Sequence, residues 1–126
     1  MTTNSILVVD DSPVIRRMLG FMLEREGHGV TFAGNGSEGL AAVEARNPDL
    51  IIADLAMPVM DGMAFVRRLK ADPAWSHVPI VMLTASAEAK DHSTALAIGV
   101  DGFVTKPLRS IDVIQLVDSL LKEPGP

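Results

Sequence analysis

Five polar residues, Asp10, Asp11, Asp54, Thr84 and Lys106, each stand just behind a short, strongly apolar run of the chain. Three carboxylates drawn together repel and raise one another's pKa unless a cation sits among them. Two or three carboxylate oxygens, a backbone carbonyl and room for water suit Mg²⁺ better than a dedicated calcium cage. Lys106 adds a point positive charge and Thr84 a hydroxyl donor. With a divalent ion they could surround the equatorial oxygens of a phosphoryl group, whose transfer is mostly positioning and charge stabilisation. No serine, histidine or cysteine nucleophile accompanies them, so a carboxylate must attack and become an acyl phosphate. Asp54 stands alone behind its run while Asp10-Asp11 can hold the metal, which makes Asp54 the expected nucleophile. The plainer alternative makes Asp10 and Asp11 helix-capping acids, Lys106 a structural salt bridge and Thr84 a cap or strand residue. One such residue would fit that alternative; the whole constellation favours a site.

The elements that would position these groups alternate along the chain. Ser5–Val9 is short, β-branched and almost wholly apolar, as a strand buried on both faces should be. Ser12-Pro13 then supplies an N-cap and a first-turn proline. Behind it Val14, Ile15, Met18, Leu19, Met22 and Leu23 recur at helical spacing up to Gly27 and Gly29. Val30–Ala33 reads as a second strand, and Ser37–Arg46 as a helix broken by Asn47-Pro48. Leu50–Ala53 is a third strand, Ala64–Lys70 a helix, and Ile80–Leu83 a fourth strand. Ser86–Ile98 is helical but alanine-rich and should pack loosely. Gly102–Val104 is a short fifth strand, and Ser110 caps a last helix carrying Ile111, Ile114, Val117 and Leu121. Such an alternation predicts an α/β, doubly wound, five-stranded parallel sheet with five helices, in the flavodoxin-like order 2-1-3-4-5. Ligands in such sheets bind beyond the carboxyl ends of the strands, where strand order reverses, here between strands 1 and 3.

Composition narrows the class further. The 126 residues suit one domain over 1–126, with a core of about 5–122 and a tail at 123–126. Apolar residues make up 48% and charged residues 21%, enough to fill a core. With no cysteine, disulfides, thiolate zinc sites and cysteine nucleophiles all drop out, which fits a cytoplasmic protein. No run approaches the roughly 20 apolar residues of a membrane span. A net charge of −5 argues against direct nucleic-acid binding.

The chain resembles a response-regulator receiver domain of bacterial two-component signalling, from about Ile6 to Leu121. The resemblance rests on Ile6-Leu7-Val8-Val9-Asp10-Asp11-Ser12, Asp54-Leu55-Ala56-Met57-Pro58-Val59-Met60-Asp61-Gly62, Val81-Met82-Leu83-Thr84-Ala85 and Gly102-Phe103-Val104-Thr105-Lys106-Pro107. It implies Asp54 as phosphoacceptor, Asp11 as a direct Mg²⁺ ligand, Asp10 as a ligand mainly through water, and the Ala56 carbonyl completing the set. Thr84 and Lys106 would bind the phosphoryl group, small Ala85 would leave room for it, and Pro107 would fix the bend beyond Lys106. Phe103 matches the family's switch aromatic, though a plain core aromatic fits it equally. The sequence departs from the usual pattern in two places. Ala56 stands where a polar side chain is common, and Phe103 replaces the commoner tyrosine, losing its hydroxyl.

The resemblance further implies a histidine kinase or histidine phosphotransfer protein as donor, a protein target of unknown identity, and a stand-alone or phosphorelay role. A receiver cut from a longer regulator, or a pseudo-receiver that binds without phosphorylation, are the alternatives. Gly34-Asn35-Gly36-Ser37-Glu38-Gly39 matches a dinucleotide fingerprint literally, but reads better as strand exit, turn and a cap at Ser37. A Mg²⁺-dependent phosphohydrolase would need a second acid where Ala56 stands. Arg16, Arg17, Arg67 and Arg68 read as solvated helix faces, Arg16 and Arg17 also being placed to touch a donor. His28, His77 and His92 fall in loops or on a helix surface, and none forms a metal pair.

Overall fold

The computed structural model describes residues 4–85 and 89–121, with the backbone alone for 89–91. The elements run β1 (Ser5–Val9), α1 (Pro13–Arg25), β2 (Gly29–Ala33), α2 (Gly36–Arg46), β3 (Leu50–Asp54), α3 (Gly62–Lys70), β4 (Ile80–Thr84), α4 (Ala89–Ile98), β5 (Gly102–Thr105) and α5 (Ser110–Leu121). All strand pairs are parallel and their order is β2-β1-β3-β4-β5, as the alternation predicts. The expected helix start at Ser86 and the tail at 123–126 lie outside the described residues.

Every residue of β3 and β4 is buried, because both strands are internal and covered on both faces. Alternation along the strands sorts the interior into two layers. Leu7, Val9, Ile51, Ala53, Ile80 and Met82 meet Val43 of α2, Phe65, Val66 and Leu69 of α3, and Ala95 of α4. Ile6, Val8, Leu50, Ile52, Val81 and Leu83 meet Leu19 and Leu23 of α1, and Val113 and Val117 of α5.

Several ends and faces differ from the sequence reading. The buried face of α1 is narrower than its six apolar positions suggest. Leu19 and Leu23 are buried, whereas Val14 is 58% exposed and Met18 38%. The ring of Phe32 from β2 lies over α1 at Gly20, where a methyl group would come within 2.7 Å of it. The N-cap of α2 is Asn35 rather than Ser37. Its side chain accepts from the Glu38 amide (2.9 Å), while Glu38 accepts in return from the Gly34 amide (3.0 Å). The helix reading of Ala64–Lys70 starts too late, since Asp61 caps α3 and Gly62 is its first residue. Ser110 is likewise inside α5, whose first turn hangs from the Arg109 carbonyl. Ile111 is 49% exposed, its place in the core taken by Val113.

Candidate functional site

Three strand ends and one loop converge beyond the carboxyl edge of the sheet. Asp10 follows β1, and its amide donates to the Ala33 carbonyl of β2 at 3.0 Å, extending the ladder by one residue. Its carboxylate Oδ1 accepts from the Ser12 amide at 2.8 Å, so the turn into α1 is built on this side chain. Asp54 is the last residue of β3 and is 5% exposed; Asp10 is fully buried and Asp11 is exposed. One carboxylate oxygen from each of the three lies within 4.8 Å of the others. The convergence expected of Asp10, Asp11 and Asp54 is therefore present.

Lys106 closes the cluster from the β5 side. Its Nζ is 3.3 Å from Asp54 Oδ1 and 3.6 Å from Asp10 Oδ2. The second distance is too long for a hydrogen bond, and Asp10 Oδ2 stays buried with no hydrogen-bond partner among the described residues. The Lys106 amide donates to the Thr84 carbonyl at 2.8 Å, and the Lys106–Pro107 peptide bond is cis. Thr84 ends β4 and is buried; Ala85 after it is exposed. Phe103 lies partly buried on the layer formed by α2, α3 and α4, the side to which alternation also assigns Thr84.

Burial raises the pKa of Asp54 above the ordinary 3.8, and the negative charge of Asp10 raises it further. Lys106 pulls it back down by charge and hydrogen bonding, and the Ala56 backbone amide does the same. One ammonium thus faces a group of three acids. A buried oxygen with no hydrogen bond among the described residues, beside two further carboxylates, is the donor set of a hard divalent cation, and the residues fit Mg²⁺.

Three residues at the site go beyond the sequence reading. Arg16 is not simply solvated: it is half-buried, and its Nη1 donates to the Asp10 carbonyl at 2.7 Å. Its position one turn past the Ser12 cap is the signal that could have shown this. Gly62 lets α3 start against the strand that carries Asp54; a Cβ there would collide with the Asp54 carbonyl oxygen and sit 2.8 Å from Leu55 Cα. Val59, in the loop between them, has φ +70° and is 84% exposed. His92, assigned by sequence to a helix surface, instead has a buried Nε2. The glycine fingerprint at 34–39 has a packing role: Gly36 and Gly39 admit Met60 and Phe65 at close contact.

The profile of the response regulator receiver domain family matches residues 6–118. An uncharacterised 14.6 kDa protein from Leptolyngbya boryana is 43% identical over 112 residues, covering 89% of this chain and 86% of its own. The DNA-binding response regulator MtrA of Mycolicibacterium smegmatis is 41% identical over 117 residues, covering 93% of this chain but 50% of MtrA. The chain thus spans about half the length of such transcriptional regulators. Among solved structures, chemotaxis response regulator CheY4 of Vibrio cholerae superposes with a TM-score of 0.90 at 32% identity, over 94% of this chain and 99% of that one. The receiver domain of a sensor histidine kinase from Pseudomonas aeruginosa PAO1 gives 0.87 at 28% identity, over 95% and 98%. That structure has a magnesium ion coordinated in its active site cleft. Among the described residues, no helix is long and apolar enough to cross a membrane.

Proposed function

The chain belongs to the response regulator receiver domain family, and from that premise we propose that it is a phosphorylation-dependent switch with Asp54 as its phosphoacceptor. The observation that carries the reading is the Lys106 ammonium 3.3 Å from Asp54, inside a cluster of three carboxylates. The donor is a phosphohistidine of a histidine kinase or phosphotransfer protein, a pairing that fits the cytoplasm. An oxygen of ionised Asp54 attacks phosphorus as the P–N bond breaks, and the departing imidazole nitrogen keeps the electron pair. Lys106 favours the ionised form that must attack, against the burial that opposes it.

Asp10, Asp11, Asp54 and the Ala56 carbonyl would hold Mg²⁺, which when bound supplies positive charge to the transferring oxygens. Thr84 and Lys106 hold the phosphoryl oxygens, exposed Ala85 leaves room for them, and Pro107 fixes the chain beyond Lys106. Phe103 is the switch aromatic. The chain catalyses its own phosphorylation without turning over a substrate, and its output is contact with another protein. This serves a stand-alone chain and a receiver joined to an output domain alike. Ala56 has no side chain able to orient an attacking water. The acyl phosphate is therefore long-lived unless a partner removes it, and Ala56→Asn should hasten its decay.

Intact mass after incubation with acetyl phosphate tests the reading. Wild type should gain one phosphoryl group only with Mg²⁺, and Asp54→Asn should gain none. Wild type that stays unmodified with Mg²⁺ would instead be a pseudo-receiver.

A further inference from the structure

The seam between α4 and β5 holds a contact that the phosphoryl chemistry does not use. The imidazole of His92 lies flat on the ring of Phe103, with centroids 4.2 Å apart and planes 6° from parallel. Its Nε2 is buried with no hydrogen-bond partner among the described residues. A buried polar nitrogen left unpaired costs free energy, so something must favour holding the ring there. The stack supplies that attraction. The described part of α4 has few other anchors, since Ala95 is its buried residue and Leu96 is 58% exposed. Phe103 in turn stands on β5 three residues before Lys106, on the strand register that pairs Thr84 with Thr105.

We propose that His92 is a positioning residue: by stacking on Phe103 it ties α4 to β5, so that α4 follows the state of the Asp54 site. The proposal rests on Asp54 being the phosphoacceptor. A flat ring at 92 is the working feature, because a face is what Phe103 touches. Its ring nitrogens are dispensable.

Beryllofluoride with Mg²⁺ serves as the probe. Its binding is read by fluorine NMR, and the response of α4 by amide hydrogen exchange over residues 89–98. Wild type should bind the probe and change its α4 exchange. His92→Ala should bind it within about twofold of wild type, yet lose at least threefold of the α4 change. His92→Phe, which keeps the flat ring, should restore the response. Should His92→Ala fail to fold, His92→Leu keeps the volume without the ring face and carries the same expectation. A full α4 response in the Ala or Leu variant, or a wild-type chain that binds the probe without any α4 response, overturns this proposal alone. A wild-type chain that binds no beryllofluoride overturns it together with the phosphoacceptor reading.

Discussion

α3 and α4 are neighbours on one face of the sheet, yet they are held there by different means. α3 buries Gly62, Phe65, Val66 and Leu69 within nine residues, and its N-terminus abuts the backbone of Asp54 and Leu55. α4 buries Ala95 among its described side chains, packs Ile98 partly, and leaves Leu96 largely in water. The difference separates two duties. The helix that follows β3 is fixed closely against the strand that carries Asp54. The described side chains of α4 bury less apolar surface, and low local stability of that kind would suit the switch proposed above.

The contrast can be broken most strongly at Phe65. Phe65→Ala should cost about 3–5 kcal/mol in urea unfolding, because the ring is fully buried and packs against α2 as well as the sheet. A loss under about 1 kcal/mol would mean that α3 is no better anchored than α4. Binding at the acidic site should sharpen the contrast. Mg²⁺ at a hundred times its dissociation constant should add about 2.7 kcal/mol of stability. Asp11→Asn should need more Mg²⁺ for the same gain, read as a shift in the titration of the unfolding midpoint.

The metal-free protein carries a related signature in its pH dependence. Asp54 has a raised pKa, so the folded state holds its proton more tightly than the unfolded chain. Its contribution is full below the ordinary 3.8 and is lost as pH rises through the raised folded value. Asp54→Asn should therefore be more stable than wild type at neutral pH without metal, the gap closing towards acid pH. A gap that widens towards acid pH would reverse the assignment. Smaller effects follow at the loop and on α4. Val59→Asn should gain about 1 kcal/mol, since a β-branched residue is poorly suited to φ +70° and asparagine tolerates it. Leu96→Ala should stay within about 0.5 kcal/mol of wild type, as exposed positions do.

The strands were legible because an internal parallel strand is apolar on both faces, and Ile6–Val9, Leu50–Ala53 and Ile80–Leu83 are unbroken apolar runs. The site acids were legible for the same reason, as polar residues set directly behind such runs. Their ends were less so. Asp54, Thr84 and Thr105 belong to their strands, for backbone pairing continues regardless of side-chain polarity. Helical spacing marked the correct side of α1 but not the width of its contact, since Gly20 and the edge residue Phe32 close part of it. Arg16 and His92 escaped because each is fixed by a partner remote in pattern: a carbonyl one turn before the helix, and a ring on another element.

The site is assembled from residues spread between Asp10 and Lys106, and that spread matters while the chain is being made. A ribosome adds roughly 5–20 residues per second, so Lys106 follows Asp54 by roughly 3–10 seconds. During that interval the nascent chain holds the three acids without the ammonium that faces them. β5, which precedes that ammonium, is the last of the five strands in chain order and lies at an edge of the sheet. On the reading proposed above, acceptor chemistry that depends on Lys106 would be withheld until β5 has been made.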